Sequence, residues 1–440
     1  MFSLLINLLV VVVAFIVIHA NEAMAAYVPP YTSMVVPVNK HTDAAKHLYS
    51  VQIMTSYVNM QFLHSNFLID IDAPFIWHEC ILEWNMYRPD SCPADTLCTS
   101  PVSCEEYQCT DVRTSYAYEN PFCPQPTNSS TLPGWGFCTC PVNVVNPVTG
   151  ACDQALLNYD AYFFNTSDGR IPFDGFFGGY PNAACVPPSS LKSFPANVTG
   201  VMAFSTSQYA LPEYLYQPLK KSFSICLPST SSAHGVLFYG TGPYYLLPQS
   251  NVDLRSYLSY TPLLKHPDSF GYYIGVNAIV IKKRSINIPA NAATKLSTID
   301  PYTILRTDIY NSVVRRFSMV TKQIRPAKPV APFGLCFSIT STNVTKASSK
   351  VPEIDFNLQG GKKWTMSREN SIKQVTNDVA CLAFVDGGAT NEPAIVIGTF
   401  QFEDNFLVFD LENSTFGFSS SLLHKQTSCA NFNFTLTHGP

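Results

Sequence analysis

The sequence has little charge and few long apolar segments. Charged residues make up 13% of the 440-residue chain, against a typical share of about 25%, and the formal net charge is only −4. This balance gives no reason to expect nucleic acid or an anionic membrane as a partner. The longest apolar run, residues 4–18, is shorter than the roughly 20 residues that a membrane-spanning helix needs. The C-terminus has no hydrophobic tail of the lipid-anchor kind, so no membrane anchor is expected.

Motifs of several enzyme classes are also missing. No G-x-S-x-G sequence places a serine nucleophile, and the glycines form no phosphate-binding loop. The nine histidines lack the H-E-x-x-H spacing of a zinc site. The spacing of Cys92, Cys98, Cys104 and Cys109 fits no zinc template. We therefore expect neither a metal nor a cofactor.

The N-terminus and the cysteines indicate export. The apolar run is followed by the small residues Ala23, Ala25 and Ala26, which is typical of a secretory signal peptide spanning residues 1–26. Fourteen cysteines, an even number, fit disulfides formed in an oxidising compartment. We expect a secreted, extracellular glycoprotein. Its N-x-S/T sequons predict glycosylation at Asn128, Asn165, Asn197, Asn343, Asn413 and Asn433.

The pattern along the chain is mainly that of a β protein. Short runs rich in Val, Ile, Phe and Tyr, bounded by Gly, Pro, Asn or Asp, predict strands. The clearest are Leu48–Met54, Phe67–Ile71, Gly235–Tyr239, Ile274–Lys282 and Phe406–Asp410. The 33 prolines lie between such runs. The best helix is Thr307–Met319, where Asp308 is a candidate N-cap.

The length predicts two domains, which we place at residues 27–235 and 236–440. Nine of the 14 cysteines fall between Cys80 and Cys152, in a Pro/Tyr-rich stretch with little periodicity. Such a stretch buries too little apolar surface to hold itself together, so we expect a disulfide-linked insertion in the first domain. The pairing of cysteines within it is left open.

Three segments resemble a known family. FLIDIDAPFIWHEC (67–80) and STIDPYTILRTDIY (297–310) resemble the two active-site loops of pepsin-like aspartic proteases, and residues 394–419 resemble their closing hairpin. The closer resemblance is to a plant subgroup: the cereal xylanase inhibitors, extracellular dermal glycoprotein and the basic legume globulins. Its markers recur in order from Leu48 to Phe434: LYSVQI, YTPLL, YYIGV, VAPFGLCF, VPEIDFNL, CLAFVDGG and CANFNF. The resemblance implies an all-β, bilobal pepsin-like fold.

The resemblance also locates the residues that would carry protease chemistry. An aspartic protease needs two carboxylates that share one proton, and the family supplies each within D-T/S-G. Here the first loop reads Asp70-Ile71-Asp72, without the hydroxyl or the glycine, and the second loop has Ser297 where the other aspartate belongs. Asp72 and Asp300 are expected to be solvated loop acids. Asp70 and Ser297 are therefore interpreted as vestigial catalytic positions.

A prosegment is likewise not expected, because residue 26 is close to the first strand predicted at Met34–Val38. The resemblance further implies the disulfides Cys336–Cys381, Cys226–Cys429 and Cys80–Cys185. His424 lies near Cys429, in a tail where xylanase inhibitors carry a histidine that enters the active site of the hydrolase. An ordinary exposed histidine is the alternative.

These features lead to three functional hypotheses. The leading one is a catalytically inactive inhibitor of cell-wall glycoside hydrolases, such as xylanases or endoglucanases. The second is an extracellular globulin that binds peptides or carbohydrates. The third is an active aspartic endopeptidase with a displaced second acid.

Overall fold

The computed structural model describes residues 30–42, 47–57, 61–82, 98–119, 123–124, 138–215, 219–249, 251–290, 292–339 and 351–439. The predicted signal peptide, Cys92, Asn128 and Asn343 lie outside these ranges. Within them, no helix is both long and apolar enough to cross a bilayer.

In its described ranges, the first half of the chain is built from short and medium strands and the α-helix α1 (Tyr107–Arg113). The strands are β1 (Ser33–His41), β2 (Leu48–Tyr57), β3 (Gln61–Asp70), β4 (Trp77–Glu79), β5 (Ile81–Leu82), β6 (Cys98–Pro101), β7 (Pro141–Val145), β8 (Cys152–Tyr159), β9 (Tyr162–Ser167), β10 (Pro172–Gly179), β11 (Asn182–Val186), β12 (Val198–Ala203), β13 (Ser222–Cys226) and β14 (Gly235–Tyr239).

The second half has the same character, with α2 (Thr307–Val320) and the one-turn helix α3 (Thr399–Phe402). Its strands are β15 (Ser259–Leu264), β16 (Tyr273–Ile274), β17 (Val276–Ile281), β18 (Arg284–Asn287), β19 (Thr294–Leu296), β20 (Thr303–Leu305), β21 (Pro326–Ala327), β22 (Cys336–Ser338), β23 (Ile354–Leu358), β24 (Lys363–Met366), β25 (Ile372–Gln374), β26 (Val379–Leu382), β27 (Phe384–Asp386), β28 (Ile395–Ile397), β29 (Phe406–Asp410) and β30 (Thr415–Phe418).

One large sheet system joins the two halves. β2 and β3 form a long antiparallel hairpin, with Ser50 opposite Leu68. On its other side β3 pairs in parallel with β12. At the other end, β13 pairs antiparallel with β29, so that Ser222 faces Asp410 across the two halves. Two four-stranded sheets, β18-β17-β23-β24 and β21-β22-β26-β25, complete the second half. Because the large sheet crosses from one half into the other, the domain boundary near residue 235 stays a prediction.

Most predicted elements correspond to observed ones. β14 and β29 match their predicted bounds, whereas β2 and β3 are longer than predicted. The strand predicted at Ile274–Lys282 is divided into β16 and β17, because β16 pairs with β15 and β19 whereas β17 pairs with β18 and β23 of another sheet.

The helix α2 extends one residue beyond its predicted end and buries the side chains at helical spacing, among them Ile309, Val313 and Phe317. The predicted capping role of Asp308 is wrong. Arg306 is the N-cap residue, and Asp308 lies inside the first turn, where its carboxylate accepts a hydrogen bond from Arg306 Nε at 2.9 Å.

Disulfides hold the insertion and tie distant segments together. Cys104–Cys138, Cys109–Cys140 and Cys123–Cys152 lie within the insertion, where the sequence left the pairing open. Elsewhere the structure has Cys80–Cys185, Cys226–Cys429 and Cys336–Cys381, the pairs that the resemblance implies. Since α1 buries little beyond Cys109 and Val112, cross-links supply much of what holds this segment in place.

Four of the predicted glycosylation sites fall within the described residues. Asn197 and Asn413 are exposed, whereas Asn165 and Asn433 are half-buried. The amide of Asn165 donates a hydrogen bond to the carbonyl oxygen of Phe173 at 3.0 Å, which competes with attachment of a glycan. The amide of Asn413 likewise donates a hydrogen bond, to Asp410 Oδ2 at 2.7 Å, so the structure supports glycosylation best at Asn197.

Candidate functional site

The two loops singled out from the sequence meet at one cleft of about 560 Å³ between the halves of the molecule. The first loop follows β3 and contains Asp70 and Asp72; the second follows β19 and contains Ser297 and Asp300. All four side chains line the cleft. The structure therefore brings together the residues that sequence comparison placed in two distant segments.

A hydroxyl of the second loop holds the two loops against each other. Thr298 Oγ1 donates a hydrogen bond to the carbonyl oxygen of Ile69 at 2.7 Å and accepts one from the N–H of Ile71 at 3.3 Å. Ile71 stands in the matching position of the first loop and has no hydroxyl with which to return the contact. The connection is thus made from one side only, and it ties Ser297 to the loop of Asp70.

Asp70 is nearly buried, with 8% of its surface exposed. One of its carboxylate oxygens, Oδ1, accepts hydrogen bonds from the backbone N–H groups of Asp72 at 2.8 Å and Ala73 at 3.2 Å. Burial and the nearby charge of Asp72 raise the pKa of Asp70 to about 6, although these two N–H groups and Lys295 oppose the shift. Asp70 therefore keeps its proton under mildly acidic conditions.

Ser297 uses its hydroxyl within its own loop. Its Oγ donates to Asp300 Oδ2 at 2.8 Å and accepts from the N–H groups of Ile299 at 3.2 Å and Asp300 at 3.0 Å. Asp300 is thus the acceptor of a hydrogen bond, and the expectation of a merely solvated acid is wrong. Its backbone is equally constrained, since a Cβ on Gly398 would lie 2.5 Å from the carbonyl oxygen of Asp300.

Asp72 is likewise not a merely solvated loop acid. It forms an ion pair with Lys295 of β19, and its Oδ1 accepts a hydrogen bond from Ser269 Oγ at 2.8 Å. Burial lowers the pKa of Lys295, but the charge of Asp72 and its hydrogen bond outweigh this and raise it above the ordinary value. Gly271 leaves room for the contact, because a Cβ there would lie 2.7 Å from Asp72 Oδ1. The ion pair spans the cleft between the two loops.

Sequence reasoning did not identify Lys295 or Ser269. A signal for Lys295 was present, since this lysine is only two residues before Ser297 and Asp72 is two residues after Asp70. Nothing in the sequence marks Ser269, which comes from a separate loop.

Comparison with known proteins identifies the family. The model "Xylanase inhibitor N-terminal" matches residues 51–241, and "Xylanase inhibitor C-terminal" matches residues 271–420. The chain belongs to the xylanase-inhibitor family. It is 35% identical over 402 residues to Gamma conglutin 1 of Prunus dulcis, covering 89% of this chain and 88% of the relative. It is 32% identical over 413 residues to Chitinase CLP of Oryza sativa subsp. japonica, covering 90% of each.

Solved structures of similar proteins confirm the fold. The crystal structure of EDGP matches with a TM-score of 0.76 at 30% identity, over 93% of this chain and all of that chain. The protein therefore has the mainly β, bilobal pepsin-like fold that the sequence predicts, with a cysteine-rich insertion in its first lobe.

Aromatic side chains form the walls of the cleft. The ring of His266 stacks on that of Tyr273 with centroids 4.9 Å apart, and Tyr116 of the insertion packs on Phe270 at 5.5 Å. Trp77 lines the same space. Apolar rings around a few polar groups are typical of a ligand-binding cleft.

His424 lies elsewhere in this xylanase-inhibitor-family protein and does not line the cleft. Its side chain is 53% exposed, and its Nε2 is 3.8 Å from a carboxylate oxygen of Glu369. Among the described residues there is no group of three or more His, Cys, Asp or Glu side chains that could hold a metal ion.

Proposed function

We propose that this protein is a catalytically inactive member of the xylanase-inhibitor family that binds and inhibits cell-wall glycoside hydrolases, of the xylanase or endoglucanase type. Support comes from the two family models, which together span most of the chain. We also propose that it acts outside the cell, where its predicted signal peptide would deliver it.

The observation that carries the inactive state is the hydrogen bonding of Ser297. Peptide hydrolysis by this fold needs a second carboxylate beside Asp70 to share the catalytic proton. From the resemblance of the two loops we assign that position to Ser297, whose hydroxyl donates a hydrogen bond to Asp300. The ion pair of Asp72 and Lys295 adds a cation near Asp70, where a protease would hold only the nucleophilic water and two acids.

The proposal is tested by titrating the purified mature protein against microbial and plant xylanases and endoglucanases. We expect saturable loss of activity for at least one hydrolase, with one inhibitor bound per enzyme. Heat-denatured protein is the control for nonspecific effects. Full activity of every hydrolase, across several glycoside hydrolase families, would contradict the proposal.

The inactive state is tested separately on a denatured protein substrate near pH 3–4. We expect no cleavage by the protein, and none by the Ser297→Asp variant, because the cation of Lys295 remains beside Asp70. A pepsin sample with and without pepstatin serves as the positive control. Pepstatin-sensitive cleavage by the unmodified protein would overturn the inactive assignment, and cleavage only by Ser297→Asp would show that Lys295 does not prevent catalysis.

His424 stays a candidate contact to the hydrolase. A half-exposed imidazole can pair with the catalytic carboxylates of a glycoside hydrolase. If it does so, His424→Ala weakens inhibition at least tenfold in the same titration. His438→Ala is the matched control, since His438 is also an exposed tail histidine beside a carboxylate, that of Asp174. Equal inhibition by both variants would remove His424 from the interface.

A second candidate function is supported by the cleft itself. Its volume of about 560 Å³ and its aromatic walls suit a peptide or oligosaccharide. Calorimetric titration with short peptides and with xylan or glucan oligosaccharides, in the absence of any hydrolase, distinguishes this function from inhibition. Binding of a cleft ligand should be weakened by Tyr116→Ala, because Tyr116 lines the cleft and is exposed.

A further inference from the structure

The basic residues of the chain are unevenly distributed. Residues 282–328 contain ten Lys or Arg side chains against two acidic ones, a net charge of +8, although the whole chain carries −4. Such an asymmetry is typical of a segment that meets an anionic partner. The small net charge of the whole chain, which gave no reason to expect nucleic acid or an anionic membrane as a partner, does not reveal this asymmetry.

A constrained β-hairpin presents two of these cations. β17 and β18 are joined by Lys282 and Lys283, which have φ values of 47° and 63°. Two-residue hairpin turns with positive φ at both positions usually contain Asn-Gly, since a β-carbon is disfavoured there. Arg316 of α2 holds the turn in place: its Nε donates to the carbonyl oxygen of Ile281 at 3.2 Å and its Nη2 to that of Lys282 at 3.1 Å.

A groove of about 580 Å³ lies beside this turn. Lys282, Lys283 and Arg368 line it, and all three are exposed. Two carboxylates line it as well. Asp355 accepts a hydrogen bond from Thr365 Oγ1 at 2.7 Å and forms an ion pair with Lys363 at 3.4 Å. Of the two carboxylates, Glu353 is therefore the one left to offset the positive charge of the groove.

The cations around the groove have no acidic partner of their own. In the part of the chain that the structure describes, no carboxylate lies within 4.0 Å of Lys282, Lys283, Arg316 or Arg368. Four further basic residues close to these in sequence are exposed, and none has a carboxylate of the described residues within 4.0 Å: Arg284, Arg315, Lys322 and Arg325. Backbone strain at a turn that carries charge, beside a groove with excess positive charge, is the combination expected of a binding surface.

We propose that this basic surface, defined by Lys282, Lys283 and Arg368, binds a linear acidic polysaccharide through the carboxylate or sulfate groups of successive sugars. The side chains of the groove favour this class of polymer. Among the residues that the structure describes, no aromatic ring lines the groove, whereas sites for single-stranded nucleic acid stack bases on such rings. The one large apolar side chain exposed on α2 is Met319, too little for insertion into a lipid surface.

The test measures binding of the full mature protein to polygalacturonate, with dextran as the neutral polymer. We expect binding to polygalacturonate alone, weakening steeply as salt is raised. The informative variant is Lys282→Asn combined with Lys283→Gly, which removes both charges and supplies the residues that the turn prefers. It should fold at least as stably as the parent and bind roughly tenfold more weakly, since two exposed ion pairs are lost.

The matched control is Lys192→Asn combined with Lys362→Asn, two exposed lysines outside the groove. This variant should bind almost as tightly as the parent. Equal losses of affinity for polygalacturonate in both variants would show that binding depends on net charge alone and would overturn the proposal. Unchanged affinity of the hairpin variant would overturn it as well. Tighter binding to a DNA or RNA oligonucleotide, or to anionic vesicles, at the same salt would assign the surface to that other class of partner. No hydrolase is present, so the result is independent of the inhibitor proposal.

Discussion

Single side chains at the floor of the cleft account for its chemistry. Ser297 is the residue that we assign to the position of a second carboxylate, and its hydroxyl donates a hydrogen bond to Asp300. Asp72, two residues after Asp70, forms an ion pair with Lys295 of β19. The hydroxyl of Ser297 and the carboxylate of Asp72 thus each have a partner in the cleft, as expected of buried or half-buried polar groups.

The raised pKa of Asp70 predicts a specific dependence of stability on pH. Because its folded pKa of about 6 lies above the ordinary value, the folded state binds this proton more tightly than the unfolded state does. Asp70 therefore lowers the free energy of unfolding as the pH rises from about 4 to 6. Asp70→Asn removes the titration while keeping an oxygen for the N–H groups of Asp72 and Ala73.

We expect Asp70→Asn to increase the free energy of unfolding by about 2–3 kcal/mol at pH 7 and to leave it almost unchanged near pH 3.5. Urea unfolding at several pH values measures the difference. Asp268→Asn is the control, because Asp268 is an exposed acid at the same cleft. A variant no more stable than the parent at pH 7 would show that burial does not raise the pKa of Asp70.

At the scale of secondary structure, the loop that follows β3 and contains Asp70 and Asp72 is positioned by the packing of three strands. β12 pairs in parallel with β3, which leads into Asp70, and antiparallel with β4, which follows the loop. Gly200 lies where β12 is flanked on both sides. A Cβ there would be 2.3 Å from the carbonyl oxygen of Trp77 and 2.4 Å from the Cβ of His78.

Gly200→Ala should therefore separate β12 from β4 and lower the free energy of unfolding by about 2–3 kcal/mol. Thermal and denaturant unfolding measure this loss. Gly175→Ala in β10 is the matched control, since its Cβ would meet only Thr166 Oγ1, at 3.3 Å, and a side chain can move away. Similar stability of the two variants would mean that the backbone around Gly200 adjusts at little cost.

At the scale of the whole molecule, a few long-range contacts join the beginning of the chain to its end. Lys40 of β1 forms a buried ion pair with Glu403 at 2.7 Å, and Tyr49 donates to the same carboxylate at 2.8 Å. Cys226 of β13 is bonded to Cys429, 203 residues later. These contacts lie beside the β13–β29 pairing that joins the two halves.

Removing the long-range disulfide should destabilise the protein more than removing a short-range one. In the chain-entropy account, a closed loop of 203 residues restricts the unfolded chain more than the 45 residues between Cys336 and Cys381, by about 1 kcal/mol. We expect Cys226→Ala/Cys429→Ala to lose about that much more unfolding free energy than Cys336→Ala/Cys381→Ala, as measured in urea. An equal or reversed order would show that local packing, and not loop length, sets the contribution.

The sequence by itself determined the mainly β class, the positions of β14, β29 and α2, and the pairing of two loops around Asp70 and Ser297. These features depend on local composition and on motifs that keep their spacing, which a linear sequence records directly. It also marked the insertion by its cysteines, without their pairing, because connectivity depends on which sulfur atoms the fold brings together.

Only the tertiary structure decided the partners of the polar groups. Asp72 and Asp300 were expected to be solvated, yet one is paired with Lys295 and the other accepts from Ser297. The basic groove beside Lys282 and Lys283 depends on Arg368, which is 85 residues beyond Lys283. A sequence states which charges are present, but whether a charge meets a counterion, a hydrogen-bond donor or open solvent is settled by distances that exist only in the folded chain.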